Sequence, residues 1–182
     1  MKWLKDEDFI RDKVPMTKEN IRILTMGYLS IYKGCRFLDI GSGTGSISVQ
    51  GAVFGANVTS VEQKELGISL LKQNAEKQGV KIHAIHGQAP EALPDEKFDR
   101  VFIGGSGGAL LSIFEYLEGA LESDGIVVAN FITLKNTWET YTLLKEFNYR
   151  DVEVQLIQTA AMDKLGLMRG ENPIYILKGV KK

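Results

Sequence analysis

One cysteine, two histidines and four prolines are present in 182 residues. Cys35 alone cannot supply an internal disulfide framework or a multi-cysteine zinc site. It reads as a small buried residue at the start of a strand, because nothing brings His83 or His86 to it as a catalytic base. Blocks of five or more like charges are also missing. With 22 basic and 23 acidic residues the net charge is −1, so the chain lacks the electrostatic footprint of a dedicated nucleic-acid binder. No apolar run approaches the roughly 20 residues of a membrane span. The start, Met1 to Asp8, turns acidic where a signal peptide turns apolar. A cytoplasmic protein, not attached to a membrane, is expected. The composition, 44% hydrophobic and 25% charged, suits one globular domain over residues 1–182.

What is present is periodic. Thr17 is expected to N-cap a helix over Lys18 to Ser30, with Ile21, Leu24, Tyr28 and Ile31 on its inner face and Gly34 as its stop. Strands and helices then alternate. Arg36 to Ile40, Asn57 to Glu62, Lys81 to His86, Phe98 to Ile103 and Gly125 to Ile132 read as strands. Ser46 to Phe54, Lys64 to Gln78, Ala109 to Leu121 and Asn136 to Phe147 read as helices between and after them. That rhythm implies an α/β fold, a doubly wound parallel sheet with helices on both faces. Val152 to Thr159 and Ile174 to Gly179 lack an intervening helical pattern, so an antiparallel C-terminal edge is expected.

The motif with most information is Asp39-Ile40-Gly41-Ser42-Gly43-Thr44-Gly45, a turn from a strand into a helix. Glycine there permits a sharp turn and close ligand approach. A dinucleotide fingerprint would need glycine where Ser46 stands, and a P-loop would need a Gly-Lys-Ser/Thr run that is absent. The segment resembles the G-x-G-x-G turn of class I, Rossmann-like methyltransferases that use S-adenosyl-L-methionine (SAM). Around it, Glu62 ends the second strand where a carboxylate would meet ribose hydroxyls. Gln88 and Ala89 follow the third strand near an adenine; Gln88 replaces a commoner aspartate, and an amide both donates and accepts. Gly104, Gly105, Ser106, Gly107 and Gly108 end the fourth strand, and so many glycines suggest a bulky group passing close. His83 and His86 lie three apart on one strand and face opposite ways, so a shared metal is not expected. His86, nearest the strand's carboxyl end, reads as a hydrogen-bonded structural histidine, with a pocket acid or base as the alternative.

With Val14 to Lys18, Val128-Ala129-Asn130 and Asn172-Pro173 added, nearly the whole chain resembles the decarboxylating corrin-ring methyltransferases of cobalamin biosynthesis. That family methylates carbon 15 of precorrin-6B or its cobalt form and removes an acetate carboxyl. The resemblance implies SAM contacts from Thr17, Asp39, Gly41, Ser42, Gly43, Thr44, Gly45, Glu62, Gln88 and Ala89, with Asp39 beneath the cofactor's amino group. It implies tetrapyrrole contacts from Pro15, Met16, Lys18, Gly104, Gly105, Ser106, Gly107 and Asn130. Arg169 is a further candidate for a substrate carboxylate. No metal and no catalytic acid or base is assigned. A homo-oligomer, a tetramer by resemblance, is implied, with a carbon-5 methyltransferase as companion. Phe131 and the segment Ala160 to Gly170 depart from the family pattern. The alternatives are another methyl acceptor, an NAD(P) oxidoreductase, which Ser46 opposes, or a SAM-binding protein without catalysis.

Overall fold

In the computed structural model, which describes residues 2–182, seven strands form one sheet. In chain order the elements are α1 (Glu19–Leu29), β1 (Arg36–Ile40), α2 (Ser46–Val53), β2 (Asn57–Glu62), α3 (Glu65–Gln78), β3 (His83–His86) and β4 (Phe98–Ile103). There follow α4 (Leu110–Ala120), β5 (Leu121–Phe131), α5 (Leu134–Glu146), β6 (Arg150–Ile157), β7 (Ala160–Met162), β8 (Met168–Gly170) and β9 (Ile174–Val180). The spatial order is β3-β2-β1-β4-β5-β9-β6. Strands β1 to β5 run parallel, whereas β9 is antiparallel to both β5 and β6. The doubly wound, mostly parallel sheet with an antiparallel C-terminal edge is therefore present.

Side chains alternate across β1 and divide the core. Phe37 joins α1 and α2 through Met26, Leu29 and Ile47. Leu38 and Ile40 join α4 and α5 through Ile113, Phe114, Leu117 and Leu144 on the opposite face. Strand order reverses between β1 and β4, and the crevice beyond their carboxyl ends is where such sheets hold ligands.

Several boundaries differ from the sequence expectation. Helix α1 begins at Glu19 with Lys18, not Thr17, in the N-cap position, and no side chain caps it. It ends at left-handed Ser30 rather than at Gly34. Its buried face is Ile21, Arg22, Thr25, Met26 and Leu29, and Leu24 is exposed, because an inward arginine rotates the face from the purely apolar reading. Strand β5 starts four residues early, at Leu121, which pairs with Phe98 ahead of an irregularity in the ladder. Helix α5 starts at Leu134, two residues before its expected start, with Thr133 accepting from the Asn136 N–H. The segment Ala160 to Pro173 is not featureless: β7 and β8 pair as a short antiparallel hairpin outside the main sheet.

Candidate active site

A cavity of about 550 Å³ opens at the switch point. Its floor is the turn after β1, and its far side is the glycine run after β4. These two loops touch backbone to backbone. A Cβ on Gly41, whose φ is +74°, would lie 2.6 Å from the Gly105 carbonyl oxygen, and one on Gly104 would lie 3.0 Å from the Gly41 carbonyl oxygen. Glycine at 41 and at 104 is thus in part a packing requirement of the two turns, a cause besides the approach of a ligand. Gly45 also faces protein: its Cβ would sit 2.8 Å from Leu71 of α3, and Gly45 does not line the cavity.

Glu62, at the end of β2 and buried, braces the turn. Its Oε2 accepts from the Gly43 N–H and its Oε1 from the Lys64 N–H, both at 2.8 Å. Each oxygen has a second lone pair that these bonds do not use, and Glu62 lines the cavity. Beneath the turn, Asp39 is fully buried and does not line the cavity. The Ser48 hydroxyl of α2 donates to its Oδ2, and the Ser60 hydroxyl of β2 donates to Ser48 Oγ at 2.8 Å. Desolvation pushes the Asp39 carboxyl up to about 7, with the nearby Glu62 charge acting in the same direction and the Ser48 bond opposing it. Asp39 Oδ1, Ser42 Oγ and Thr44 Oγ1 are buried without partners. Ser42 and Thr44, with unsatisfied hydroxyls, and the doubly braced Glu62 carboxylate line the cavity and suit a polar ligand with hydroxyls. Asp39, beneath the turn, would act on a cationic group through charge and not contact.

Of the residues expected to meet cofactor or substrate, Pro15, Met16, Thr17, Lys18, Gly41, Ser42, Gly43, Thr44, Glu62, Gln88, Ala89, Gly104, Gly105, Ser106, Gly107 and Asn130 all line this one cavity. Asn130 is held from behind, its Nδ2 donating to Thr25 Oγ1 at 2.8 Å. Arg169 is not among them. It lies exposed on β8, its Nε 2.9 Å from Asp163 Oδ2, so the expectation of a substrate carboxylate there is set aside. Residues that pattern reading missed also line the cavity, notably Lys64, Asn136, Thr159 and Glu171. Lys64 carried a signal, since it follows the strand-end acid; Asn136 lies in the first turn of α5, and Thr159 and Glu171 come from the segments that flank the β7–β8 hairpin. His86 Nε2 lies 3.1 Å from the Gln63 carbonyl, a structural contact. Cys35 is buried, and desolvation pushes its thiol up, which disfavours a nucleophile. Among the described residues, no three His, Cys, Asp or Glu side chains cluster as a metal site would require.

Comparison with known proteins agrees with this geometry. The family model described as a precorrin methyltransferase domain matches residues 7–178. A protein of Sulfolobus acidocaldarius, named as a probable cobalt-precorrin-6B C(15)-methyltransferase (decarboxylating), is 35% identical over 98% of this chain and 97% of its own length. The cobalt-precorrin-6B C(15)-methyltransferase (decarboxylating) of Salmonella typhimurium is 30% identical, covering 96% and 94%. The crystal structure of a precorrin-6y C5,15-methyltransferase from Geobacter metallireducens superposes with a TM-score of 0.91 at 28% identity, covering 99% and 97%. The chain belongs to the precorrin methyltransferase family.

Proposed function

We propose that this enzyme transfers a methyl group from SAM to carbon 15 of precorrin-6B or its cobalt form and couples the transfer to loss of an acetate carboxyl. The observation that carries the cofactor reading is the Glu62 carboxylate, which accepts the Gly43 N–H and still has acceptor capacity beside the cavity. The residues fit the group: Glu62 takes the ribose hydroxyls, Gln88 both donates to and accepts from the adenine edge, and buried Asp39 favours the ammonium through its charge. When bound, SAM supplies an electrophilic methyl on a sulfonium.

The protein's part is alignment. In-line displacement needs the acceptor carbon held on the methyl's far side, and pre-organised geometry accounts for much of such a rate. The wall Val14 to Lys18 and the Gly104 to Gly107 loop both line the cavity, and a flat acceptor edge would lie against them. Lys18 and Lys64 bring positive charge to the same cavity, suited to peripheral carboxylates. Loss of carbon dioxide needs no further protein group in this reading, because the conjugated macrocycle accepts the electron pair. The exposed side chains of β6 and of the hairpin support a homo-oligomer, a tetramer by family resemblance, with a carbon-5 methyltransferase as companion in the pathway. One domain, working in the cytoplasm, completes the reading; no helix among the described residues is long and apolar enough to cross a membrane.

Calorimetry with SAM, S-adenosylhomocysteine and NAD tests the cofactor. Turnover of precorrin-6B and cobalt-precorrin-6B, read by mass for +CH₂ and −CO₂, tests the acceptor. SAM binding without either mass change would overturn the acceptor reading and leave another methyl acceptor as the function.

A further inference from the structure

Three buried polar side chains, one from each of α1, α2 and α3, clasp the chain ahead of α1. Gln50 of α2 accepts the Leu4 N–H at 2.9 Å and donates to the Lys2 carbonyl at 3.0 Å. Arg22 of α1 donates to the carbonyls of Leu4 at 2.7 Å and Thr17 at 2.8 Å, and pairs with Asp6. Asn74 of α3 accepts the Ile10 N–H at 2.7 Å and donates back to the Ile10 carbonyl at 2.8 Å. All three side chains are completely buried. They fix the backbone path of a strap over residues 2–18, whose last five residues wall the cavity.

Asn74 differs from the other two. Its Nδ2 also donates to the Thr44 carbonyl of the glycine turn at 2.9 Å. The amide orientation follows from its partners, because the Ile10 N–H requires an acceptor and the two carbonyls require donors. One side chain therefore holds the cofactor-side turn and the acceptor-side strap together, and every hydrogen-bonding group it has is engaged. The two are also in direct approach, with the Pro15 carbonyl oxygen 3.4 Å from where a Cβ on Gly43 would lie.

We propose that Asn74 is a positioning residue that couples the glycine turn to the strap, so that SAM bound at the turn fixes the wall that receives the methyl acceptor. This rests on the reading of the cavity as a SAM site. Ordering of the strap by cofactor makes SAM the first ligand to bind productively, and the acceptor then meets a wall already in place.

The first test uses the unaltered protein. Saturating SAM should slow hydrogen exchange at the Ile10 N–H along with that at the Gly43 N–H; an Ile10 rate unchanged by SAM, with Gly43 slowed, would overturn the coupling. The second uses Asn74→Asp, which keeps the acceptor and removes both donor bonds, and Asn74→Ser, which avoids a buried charge. Each is expected to weaken SAM binding about tenfold, to abolish the SAM-dependent slowing over residues 10–18, and to raise the acceptor KM at saturating SAM more than it lowers kcat. Gln50→Ala, which releases the strap away from the turn, should leave SAM affinity within about twofold and keep that slowing. Folded Asn74 variants with wild-type SAM affinity and intact SAM-dependent protection would overturn the proposal, whatever their melting temperature. Failure of the wild type to bind SAM would instead remove the cofactor reading on which it stands.

Discussion

Gly41 and Gly105 meet backbone to backbone at the point where the strand order reverses, yet only one of them is sterically confined. A Cβ on Gly41 would lie within 2.9 Å of three Gly105 atoms, whereas a Cβ on Gly105 has no other atom within 4 Å. Gly41 also has a left-handed φ of +74° and Gly105 does not. Gly41→Ala is expected to destabilise the fold by about 2 kcal/mol or more, from clash and backbone strain together. Gly105→Ala should change stability by less than about 0.5 kcal/mol, but its methyl enters space beside the cavity and should lower kcat/KM by about tenfold. Thermal unfolding and steady-state kinetics on the pair decide; equal stability losses would mean that the loops can separate.

Glu62 cannot be replaced by its amide without conflict. Both of its oxygens accept a backbone N–H, and glutamine offers one oxygen and one NH₂. Glu62→Gln therefore sets a donor against either Gly43 or Lys64 and removes the charge that strengthens hydroxyl donation. SAM affinity should fall about tenfold to a hundredfold. Calorimetry giving a Kd within a factor of about three of wild type would contradict the assignment of Glu62 to the ribose.

Strand positions were readable from the sequence because a parallel sheet buried on both faces demands apolar runs, and the glycine turn was readable because only glycine tolerates its backbone. Arg22 shows where that logic stops. It is buried by bonding to main-chain carbonyls, so it breaks the apolar periodicity of α1 and displaces the expected face. Gln50 and Asn74 are invisible for the same reason: bonds to a backbone leave no side-chain pattern in the segment they hold. The glycine run after β4 is conspicuous in the sequence, but one cause of it, the contact of Gly104 with Gly41, is a property of two loops about sixty residues apart.

On the proposed SAM reading, Asp39 should give the free protein and the cofactor complex opposite responses to pH. Its folded-state carboxyl lies at about 7, raised first by desolvation, above the ordinary 3.8. The folded state therefore holds this proton more tightly than the unfolded chain, and the group's contribution to stability declines as pH rises from about 4 to about 7, then stays level. A cationic ammonium near the turn favours the ionised form, so SAM affinity should rise with pH across 6 to 8, with up to one proton released per SAM bound at the low end. Titrations in buffers of different ionisation enthalpy measure that release. Asp39→Asn should flatten both profiles, and an unchanged pH dependence in that variant would assign the titration elsewhere.

Strand β6 closes the sheet with one side unpaired, and its solvent-side residues Val154 and Leu156 are 42% and 56% exposed. The hairpin that follows adds Met162, Leu165, Leu167 and Met168, of which Leu165 is 81% exposed. A bare edge strand beside exposed apolar side chains invites another chain unless charge or proline blocks it, and on β6 the charged residues Arg150, Asp151 and Glu153 cluster at the opposite, N-terminal half. A second copy is the occupant consistent with the proposed homo-oligomer. Light scattering after gel filtration should give a mass above that of one chain for the wild type. Leu156→Lys combined with Leu165→Lys should give the single-chain mass with far-ultraviolet circular dichroism retained, since both side chains are solvent-facing within the protomer. A wild type that stays monomeric at tens of micromolar would remove this face as an interface; a larger species that survives the double substitution would move the contact to another surface.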